Sequence, residues 1–464
     1  MASSDGQVMD DRDDTIVAII TPPGEGGVAG IRLAGPLSLT ILDTVFRPES
    51  SSSLKPFVLR YGRFVNSHGE SLDEVMAVYM PQGKSYTGLD QVEFFCHGGR
   101  QVVRLLLEVL LATGARAAQP GEFTRLAFLN GRIDLTQAEA VAEVIAANTE
   151  ASWRAGRDHL MGGYAAHVER IRQQLVAVLA EIEASIDFTE EDIDPARDGQ
   201  LLGTLETVER DLSELLASYT GGRIIKEGFT VAIAGRPNSG KSSLFNLLLK
   251  QERALVNPEP GTTRDYLSEW LDIDGFAVKI VDTAGLRADG GTVEKAGQAR
   301  AEEIIDQADL VLWLADMSEK AWPQGLQADI ESRKTESMML VGNKLDVVNE
   351  LPSNILTTPL PVHFLSCKTG EGCRRLTKAI AERIKASVPD LTSGHVVTSA
   401  RHKQNIELAA GAVVQSKKLM AGSETPDIIA FELRRGADAL AEITGKIYTE
   451  QILGTIFSRF CVGK

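Results

Sequence analysis

The residues with the clearest potential for chemistry are Gly235–Ser242, which read G-x-x-x-x-G-K-S. The apolar run Phe229–Ala234 before them predicts a buried strand, and Ser243–Leu249 after them predicts the start of a helix. In this strand–loop–helix setting, backbone N–H groups turn toward phosphate oxygens and the helix N-terminus adds its positive end. Lys241 would reach the β- and γ-phosphates, and the Ser242 hydroxyl would bind Mg²⁺. We therefore predict a phosphate-binding loop rather than a chance glycine-rich turn.

Two further segments would complete a triphosphate and metal site. Asp282–Gly285 reads D-T-A-G and ends a predicted strand, so Asp282 can hold Mg²⁺ through water and the Gly285 N–H can contact the γ-phosphate. Pro260–Asp265 reads P-G-T-T-R-D and lies between this segment and the phosphate loop. A threonine hydroxyl there would complete the Mg²⁺ shell while the γ-phosphate is present. A lone D-x-x-G is very common and is a weak signal by itself, and Pro260–Asp265 is also compatible with a plain turn.

A third segment, Asn343–Asp346, reads N-K-L-D and predicts which base is bound. The Asp346 carboxylate can accept hydrogen bonds from N1–H and the 2-amino group of guanine. Adenine offers neither, and would leave the carboxylate unpaired at a cost of roughly 1–3 kcal/mol. Lys344 would lie over the base, and Ser366–Lys368 suits a loop at the guanine O6. The predicted nucleotide is therefore GTP rather than ATP.

The residue after Gly285 limits how the nucleotide could be hydrolysed. Ras-like switches place a water-orienting glutamine there, whereas this chain has Leu286. Another group must then position water, and a cation must neutralise charge between the phosphates. Asn238 could ligate a monovalent cation. Asp289 or Glu294 could polarise water from a loop that closes, although a solvated acidic loop is an equally good interpretation of these residues.

Bulk composition limits the possible classes of protein. The chain has 464 residues, and its formal net charge of −16 argues against broad, non-specific nucleic-acid binding. Its four cysteines are too few and too scattered for a disulfide framework. No apolar run reaches about 18 residues, and the acidic, polar start Met1–Asp14 is unlike a secretory signal. We expect a cytoplasmic protein without a membrane span.

The motifs require an α/β unit to position them. Between residues 228 and 385, apolar strand-like runs alternate with helical segments, which predicts a mostly parallel, doubly wound sheet. The N-terminal part mixes strand-like and helical segments. Helical spacing dominates from about Asp134 to Leu216, with a break at Phe188–Pro195, and again after Pro389. This order predicts one discontinuous helical domain with the α/β unit inserted into it.

Two glycine-rich segments are expected to interrupt regular structure. Thr21–Gly30 contains both glycine and proline and is predicted to be a loop. The pair Gly221–Gly222, just before the strand of the phosphate loop, is predicted to be a hinge.

Taken together, the motifs resemble those of the MnmE family of bacterial tRNA-modification GTPases, also called TrmE, over nearly the whole chain. The resemblance also rests on segments outside the α/β unit: Phe95–Gly99, Pro120–Thr124, Phe128–Arg132 and Cys461–Lys464. It implies a multidomain α/β and α protein. The implied segments are an N-terminal α+β folate-binding and dimerisation domain at 1–132, helical parts at 133–227 and 386–464, and an inserted Ras-like P-loop GTPase domain at 228–385.

The resemblance implies a potassium-activated GTPase that forms a homodimer. With the flavoprotein MnmG, in a heterotetramer, such a protein adds a carboxymethylaminomethyl or aminomethyl group to C5 of the wobble uridine (U34) of certain tRNAs. The one-carbon donor is a tetrahydrofolate derivative, either 5-formyl or 5,10-methylene, and the partner carries FAD. GTP, Mg²⁺ and K⁺ are the remaining cofactors. Localisation is in the cytoplasm, with no membrane association.

Roles for individual residues follow from the resemblance. Glu294 orients water, with Asn238 and Lys241 as further catalytic residues; Ser242 and Thr263 bind Mg²⁺. Potassium is held by Asn238 and Thr262 and by backbone carbonyls of Asn257 and Glu259. The folate contacts are Arg32, Glu93, Arg132 and Lys464, and the family often has lysine at Arg132. The GTP contacts are Asn238, Ser239, Gly240, Lys241, Ser242, Ser243, Asn257, Pro258, Glu259, Pro260, Gly261, Thr262, Thr263, Asp282, Thr283, Ala284, Gly285, Asn343, Lys344, Asp346, Ser366, Cys367 and Lys368.

Three alternatives stay open at this point. Cys461 is reminiscent of a catalytic thiol, but no base is visible beside it in the sequence, and a cysteine in such a position is more often a small packed side chain. A GTP-dependent assembly factor also has leucine after D-x-x-G, although it would be expected to carry a basic RNA-binding module. A regulatory switch would need an external activating protein rather than potassium.

Overall fold

The computed structural model describes residues 13–50, 54–187, 199–255, 268–283, 292–318, 337–348, 360, 362–388, 395–422 and 424–464, and for residues 292–298 it describes the backbone only. The described chain forms two compact units. The first contains the residues up to Ala142 together with Ala441–Lys464, and the second contains Glu143–Leu440. Within the described ranges, no helix combines the length and the apolar composition that crossing a membrane requires.

Helices and strands alternate along much of the chain. The α-helices in the described ranges are α1 (Ser38–Val45), α2 (Arg100–Ala112), α3 (Glu122–Leu129), α4 (Leu135–Ala146), α5 (Glu150–Leu160), α6 (Gly163–Asp187), α7 (Gly199–Glu227), α8 (Lys241–Gln251), α9 (Thr292–Gln307), α10 (Cys373–Ser387), α11 (Ala400–Ala421), α12 (Pro426–Thr444) and α13 (Glu450–Phe457). A short 3₁₀-helix covers Leu345–Val347.

The first unit is built on one sheet. Its strands are β1 (Ile16–Ile19), β2 (Gly26–Ala34), β3 (Phe46–Pro48), β4 (Arg60–Val65), β5 (Ser71–Met80), β6 (Gln91–Gly98) and β7 (Arg116–Ala117). They lie in the order β3-β4-β5-β6-β2-β1-β7. Neighbours are antiparallel except β1 and β7, which run parallel.

Strand β2 corrects one prediction. Thr21–Gly30 was expected to be a loop throughout, but β2 already begins at Gly26, so the second half of that prediction is wrong. Gly26 pairs with Gly98 of β6, and a Cβ on Gly98 would lie 2.4 Å from the Gly26 carbonyl oxygen. The glycines here allow two strands to approach closely, a use that composition alone does not distinguish from a loop.

Alternation along β6 decides which side chains face the core of the first unit. Val92, Phe94 and Cys96 are buried in a cluster that includes residues of α1 and α2. Because successive strand residues point to opposite faces, Glu93 projects from the other side of the sheet. The buried positions of α2 recur at helical spacing, at Val103, Leu106 and Leu110, which fits one helix face packed on the sheet.

The second unit contains a seven-stranded sheet that carries the nucleotide motifs. Its strands are β8 (Phe229–Gly235), β9 (Arg253–Ala254), β10 (Ser268–Ile273), β11 (Phe276–Asp282), β12 (Leu310–Asp316), β13 (Met338–Asn343) and β14 (Val362–Phe364). The order is β14-β13-β12-β8-β11-β10-β9. Neighbouring strands from β14 to β11 are parallel, whereas β10 is antiparallel to both of its neighbours, β11 and β9. The prediction of a mostly parallel sheet in this region is confirmed.

Helix α7 corrects a second prediction. It continues through Gly221–Gly222 to Glu227, so the predicted hinge is wrong. A Cβ on Gly222 would lie 2.1 Å from the Val397 carbonyl oxygen, and the Val397 N–H donates to Ser218 Oγ at 3.0 Å. Gly222 is therefore a close-contact position inside a helix, where the absence of a side chain lets another segment pack against the backbone.

The end of α7 is also joined to the sheet by polar contacts. Arg223 pairs with Asp309, which lies just before β12. The second carboxylate oxygen of Asp309 accepts the backbone N–H of Thr230, on β8, at 2.8 Å. One aspartate therefore connects the last turns of α7 with the strand that leads into the phosphate loop.

Candidate functional site

The phosphate loop connects β8 with α8, as the sequence predicts. Gly240 caps α8 with a φ of +97°, and a Cβ there would lie 2.2 Å from Nδ2 of Asn343. Lys241 is 6% exposed, and its Nζ donates to the carbonyl oxygens of Gly235 at 3.1 Å and Arg236 at 2.7 Å. The buried ammonium and the N-terminus of α8 thus place positive charge at the same loop, which suits phosphate.

Hydroxyl and carboxylate oxygens meet beside the loop. Ser242 Oγ donates to Asp282 Oδ2 at 2.7 Å, and Asp282 is fully buried at the end of β11. Thr283 Oγ1 donates to the Ile233 carbonyl oxygen at 2.8 Å, which ties the residue after Asp282 to β8. The Oγ of Ser239 is buried without a hydrogen-bond partner among the described residues. Oxygen donors of this kind fit Mg²⁺ bound with a triphosphate.

Asn343 connects three loops at the carboxyl ends of the strands. Its Nδ2 donates to the Ser239 carbonyl oxygen of the phosphate loop at 2.8 Å. Its Oδ1 accepts the N–H of Lys344 at 2.7 Å and the N–H of Cys367 at 3.1 Å. Because Asn343 is 2% exposed, losing these bonds would leave a buried amide unpaired. This side chain therefore joins the phosphate loop to the predicted base-binding segments.

The predicted base-reading carboxylate is held in place by a neighbouring loop. Ser366 Oγ donates to Asp346 Oδ1 at 2.6 Å, and the Thr369 N–H donates to the same hydroxyl at 3.2 Å. The hydrogen bond from Ser366 is the main cause that holds the pKa of Asp346 below its usual value. At neutral pH Asp346 is therefore an oriented, ionised acceptor at the surface of the site.

Lys344 is fixed by a residue that the sequence analysis did not identify. Its Nζ bonds to Asp316 Oδ2, at the end of β12. Burial raises the pKa of Asp316, but the hydrogen bonds from Lys344 and Ser318 outweigh this effect, so the pKa lies below its usual value. Lys344 itself has a φ of +68°, an uncommon conformation for a residue with a side chain. The ion pair to Asp316 holds its long side chain across the loop.

Cys367 contributes its backbone rather than its thiol. Its N–H reaches Asn343, and burial raises the pKa of its thiol to about 12, which keeps the sulfur neutral at physiological pH. The neighbouring Lys368 is exposed. Asn238, with a φ of +62°, and Ser243 are exposed on the phosphate loop and the first turn of α8.

Some predicted site residues lie outside the described residues: Asn257, Pro258, Glu259, Pro260, Gly261, Thr262, Thr263, Ala284 and Gly285, together with Leu286 and Asp289. Glu294 falls near the start of α9, where only the backbone is described. Their assigned roles stay predictions.

A second candidate site lies in the first unit. Arg32 on β2 is directly opposite Glu93 on β6, and its Nε donates to Glu93 Oε1 at 2.8 Å. Gln91 Nε2 donates to the same oxygen at 3.1 Å. The guanidinium carbon of Arg32 lies 5.3 Å from the centre of the Tyr86 ring and 5.5 Å from that of Phe123. The cation is thus flanked by aromatic rings and a carboxylate, with side-chain exposures of 18% for Arg32 and 13% for Glu93.

The other two predicted folate residues adjoin this cluster. Arg132 is exposed, and its Nη1 donates to the Gly83 carbonyl oxygen at 2.9 Å, in the β5–β6 connection that also carries Tyr86. The Phe123 N–H donates to the Lys464 carbonyl oxygen at 3.1 Å. Arg32 contacts the Tyr86 and Phe123 rings and pairs with Glu93, Arg132 contacts the connection that carries Tyr86, and the Lys464 backbone contacts that of Phe123. We name these six residues the Arg32 cluster.

Residues missed by sequence reasoning carried weak signals. Asp316 is an acidic residue at the carboxyl end of a buried strand, the position where ligands of α/β sheets are bound. Phe123 belongs to the quoted segment Pro120–Thr124, but no periodicity shows that its ring meets Arg32. Cys461 is exposed, and the structure gives no further support to a chemical role for its thiol.

Family models and full-length relatives match nearly the whole chain. A family model described as the MnmE helical domain matches residues 135–461, and one described as the GTP-binding protein TrmE N-terminus matches residues 15–132. The tRNA modification GTPase MnmE of Carboxydothermus hydrogenoformans is 38% identical over 468 residues, covering 97% of this chain and 100% of that protein. The one from Chloroflexus aurantiacus is 41% identical over 455 residues, covering 97% and 100%. Among solved structures, the G domain of the T. maritima FeoB iron transporter aligns with 33% of this chain and 98% of its own, at 28% identity and a TM-score of 0.26.

Proposed function

The chain belongs to the MnmE family of tRNA modification GTPases, and from this premise we propose that it binds and hydrolyses GTP within a reaction that modifies tRNA. The single observation that best supports the proposal is the fixed Asp346 carboxylate, which Ser366 holds at 2.6 Å. An ionised carboxylate accepts hydrogen bonds only, and guanine presents two donors where adenine presents none. Asn343, in the same segment as Asp346, donates to the phosphate loop, so the groups proposed to bind the base and the phosphates are directly connected.

Mg²⁺ is proposed to bind at the Ser242 hydroxyl, with Thr263 as a second ligand. The contact between Ser242 and the buried Asp282 supports this assignment. When bound, the ion neutralises charge that develops on the phosphate oxygens. The residues of the chain then have the tasks of holding the triphosphate, through Lys241 and the loop N–H groups, and of orienting water.

Potassium is proposed to supply the charge that an arginine finger supplies in Ras-like enzymes. The proposed ligands are Asn238 and Thr262 and the backbone carbonyls of Asn257 and Glu259. Leu286 lacks a polar group that could orient water, so we assign that role to Glu294. The exposed side chain of Asn238, on a loop residue with a φ of +62°, supports the potassium assignment because it leaves an amide oxygen accessible beside the phosphate site.

The Arg32 cluster is proposed to bind a tetrahydrofolate derivative, in the 5-formyl or 5,10-methylene form. Cations suit the glutamate carboxylates of a folate, while a carboxylate such as Glu93 suits the N–H donors of a pterin ring. The aromatic rings of Tyr86 and Phe123 beside Arg32 support the proposal, since they offer flat apolar surface next to the charged groups.

The modification itself is proposed to require partners. We propose that a homodimer of the chain works with the flavoprotein MnmG, which carries FAD, as a heterotetramer in the cytoplasm, and modifies C5 of U34 in certain tRNAs with a carboxymethylaminomethyl or aminomethyl group. Exposed apolar side chains on and beside β4 and β5 support an interface with a second copy: Phe57, Val58, Leu59, Tyr61 and Met76. Tyr61 and Met76 are direct cross-strand neighbours, so they form continuous apolar surface.

Two measurements test this proposal. GTP turnover by the purified chain, without partners, is expected to be much faster in potassium chloride than in sodium chloride; equal rates would contradict the potassium assignment. In cells that lack the protein, mass analysis of wobble uridine is expected to reveal loss of the modification. Restoration by the wild-type gene but not by the Lys241→Ala variant would link the modification to the phosphate loop.

A further inference from the structure

Residues 462–464 pair with the segment Gln119–Phe123 through their backbones. Pro120 and Val462 form an antiparallel bridge, and the Phe123 N–H donates to the Lys464 carbonyl oxygen at 3.1 Å. Phe123 is in the first turn of α3, where backbone N–H groups have no partner within the helix. The carbonyl of Lys464 therefore caps α3, and the fully buried Phe123 would have an unpaired N–H without it.

A buried carboxylate fixes the shape of this segment. Glu122 is 5% exposed, and Arg116 binds both of its oxygens, Nη1 to Oε2 at 3.0 Å and Nη2 to Oε1 at 2.5 Å. The Gln119 N–H also donates to Glu122 Oε2, at 2.7 Å. Asp14 holds the other side of Arg116, with Nε to Oδ2 at 2.6 Å. A two-pronged guanidinium–carboxylate pair of this kind fixes orientation as well as distance.

Close backbone contacts leave little room for any other arrangement. Gly121 has a φ of +69°, and a Cβ there would lie 2.8 Å from the Phe457 carbonyl oxygen, at the end of α13. A Cβ on Gly463 would lie 2.3 Å from the Ile19 carbonyl oxygen. Gly121 thus packs against the end of α13, and Gly463 packs against the end of β1, so each of the two paired segments is also confined by a third part of the chain.

The same helix carries the aromatic wall of the Arg32 cluster. The Phe123 ring contacts Arg32, and Thr124 Oγ1 lies 2.9 Å from the hydroxyl of Tyr86, the second ring beside Arg32. The first turn of α3 therefore contacts both the backbone of Lys464 and the surroundings of Arg32.

We propose that Glu122, held by Arg116, is a positioning residue that keeps Gln119–Phe123 in the shape to which residues 462–464 pair, and thereby holds Lys464 at the first turn of α3, whose Phe123 ring contacts Arg32, for binding a reduced folate. The ligand in this inference rests on the proposed function. Glu122 does not touch the ligand; it acts through the α3 cap.

The first test is Glu122→Gln in the full chain, with 5-formyltetrahydrofolate as the probe. Removing the charge weakens the pair with Arg116, so we expect the Phe123 amide to exchange hydrogen at least tenfold faster and the Kd of the probe to rise at least tenfold. GTP turnover, which depends on the second unit, is expected to stay within twofold. Val103→Ala on α2, chosen to lower Tm by a similar amount, is the control for a general loss of stability and should change neither the exchange nor the Kd.

A second pair of variants separates the effect of contact with a neighbouring segment from the effect of backbone strain. Gly121→Ala and Gly69→Ala both place alanine at a left-handed φ, +69° and +80°, but only Gly121 faces another segment, since nothing lies within 4 Å of a Cβ on Gly69. We expect Gly121→Ala to weaken probe binding at least tenfold and Gly69→Ala to leave it within twofold.

The outcomes distinguish this inference from the proposed function. If the wild-type chain does not bind the probe, the folate assignment fails and the ligand named here fails with it. If the wild type binds and Glu122→Gln binds equally well, the positioning role alone is overturned. It is also overturned if Phe123 exchange is unchanged in Glu122→Gln, or if Val103→Ala shifts the Kd as strongly.

Discussion

The phosphate loop and the Arg32 cluster are assembled from the chain in opposite ways. The loop is one continuous segment, Gly235–Ser242, between a strand and a helix, and its partners follow the ends of neighbouring parallel strands. The Arg32 cluster joins β2, β6, the first turn of α3 and the last residue of the sequence, Lys464. A site made by local backbone geometry can be recognised from residue types alone, whereas an assembled site depends on tertiary pairing.

This contrast leads to different expectations for mutations. In the phosphate loop and the base-reading segments, we propose that each residue has its own contact with a part of the nucleotide, so single changes should alter affinity, rate or base preference separately. In the Arg32 cluster, shared partners such as Phe123 connect the residues, so effects should be strongly non-additive. The two sites lie in different compact units, which makes each a control for the other.

The largest effect is expected for Lys241→Ala. Loss of the buried ammonium should lower GTP turnover about 10²- to 10³-fold, because a preorganised positive group is removed from the developing phosphate charge. Binding of 5-formyltetrahydrofolate, measured by calorimetry, should be unchanged. Lys250→Ala, in the last turn of the same helix, is the matched control and should keep normal turnover. A parallel loss of folate binding would break the contrast between the two sites.

Asp346→Asn should change base preference. The amide replaces an acceptor with a donor, so GTP affinity should fall on the order of a hundredfold, as two hydrogen bonds to a charged group are lost. Xanthosine triphosphate, which has a carbonyl where guanine has the 2-amino group, should bind the variant better than GTP does. Competition with a fluorescent nucleotide measures both. Asp274→Asn, at the exposed β10–β11 turn, is the control, and unchanged GTP affinity in Asp346→Asn would refute the base-reading role.

Arg32→Ala tests the same contrast at the Arg32 cluster. The variant leaves Glu93 without its guanidinium partner and removes the cation between two rings, so the Kd for 5-formyltetrahydrofolate should rise about tenfold to a hundredfold. GTP turnover should be unaffected. Arg104→Ala, an exposed arginine on α2 paired with Glu108, is the control. Wild-type folate affinity in Arg32→Ala would exclude the cluster as the folate site.

Ser366→Ala should have the smallest effect, and a pH-dependent one. Losing one hydroxyl hydrogen bond to Asp346 should raise the Kd for GTP about three- to tenfold near pH 7.5. Ser366 lowers the pKa of Asp346, so its removal lets the carboxylate protonate at a higher pH. The Kd ratio of variant to wild type should therefore widen as pH falls toward about 4.5, where the unperturbed pKa of about 3.9 begins to matter. Ser387→Ala on α10 is the control; a ratio independent of pH would contradict this explanation.

Much of the second unit could be predicted from sequence because its signals are local. Apolar runs followed by Gly240-Lys241 and by Asn343–Asp346 specify strand ends and loops without reference to distant residues. The structure confirms the predicted strand, loop and helix around Gly235–Ser242 and the mostly parallel sheet. The contact between Asn343 and Ser239 could not be predicted, since it depends on which strands are neighbours in the sheet.

The failures share one physical cause. Gly221–Gly222 was predicted to be a hinge and Thr21–Gly30 a loop, because glycine was interpreted as flexibility. In both places glycine instead permits a close backbone approach. In α7 the approach is between Gly222 and Val397, and in the first unit it is between β2 and β6. The proposed role of Glu122 was missed because an acidic residue beside a proline and a glycine is typical of a helix start. Only the fold reveals that Arg116 donates to both of its carboxylate oxygens.

The unbroken helix α7 also has a mechanical consequence. It has 29 residues and is therefore about 43 Å long at 1.5 Å per residue. Its C-terminal end is attached, through Arg223 and Asp309, to β8, the strand that leads into the phosphate loop. A tilt of about 5° at that fastening displaces the far end by about 4 Å over such a length. Because the helix continues unbroken through Gly221–Gly222, such a tilt would be carried along its whole length instead of being absorbed at a joint.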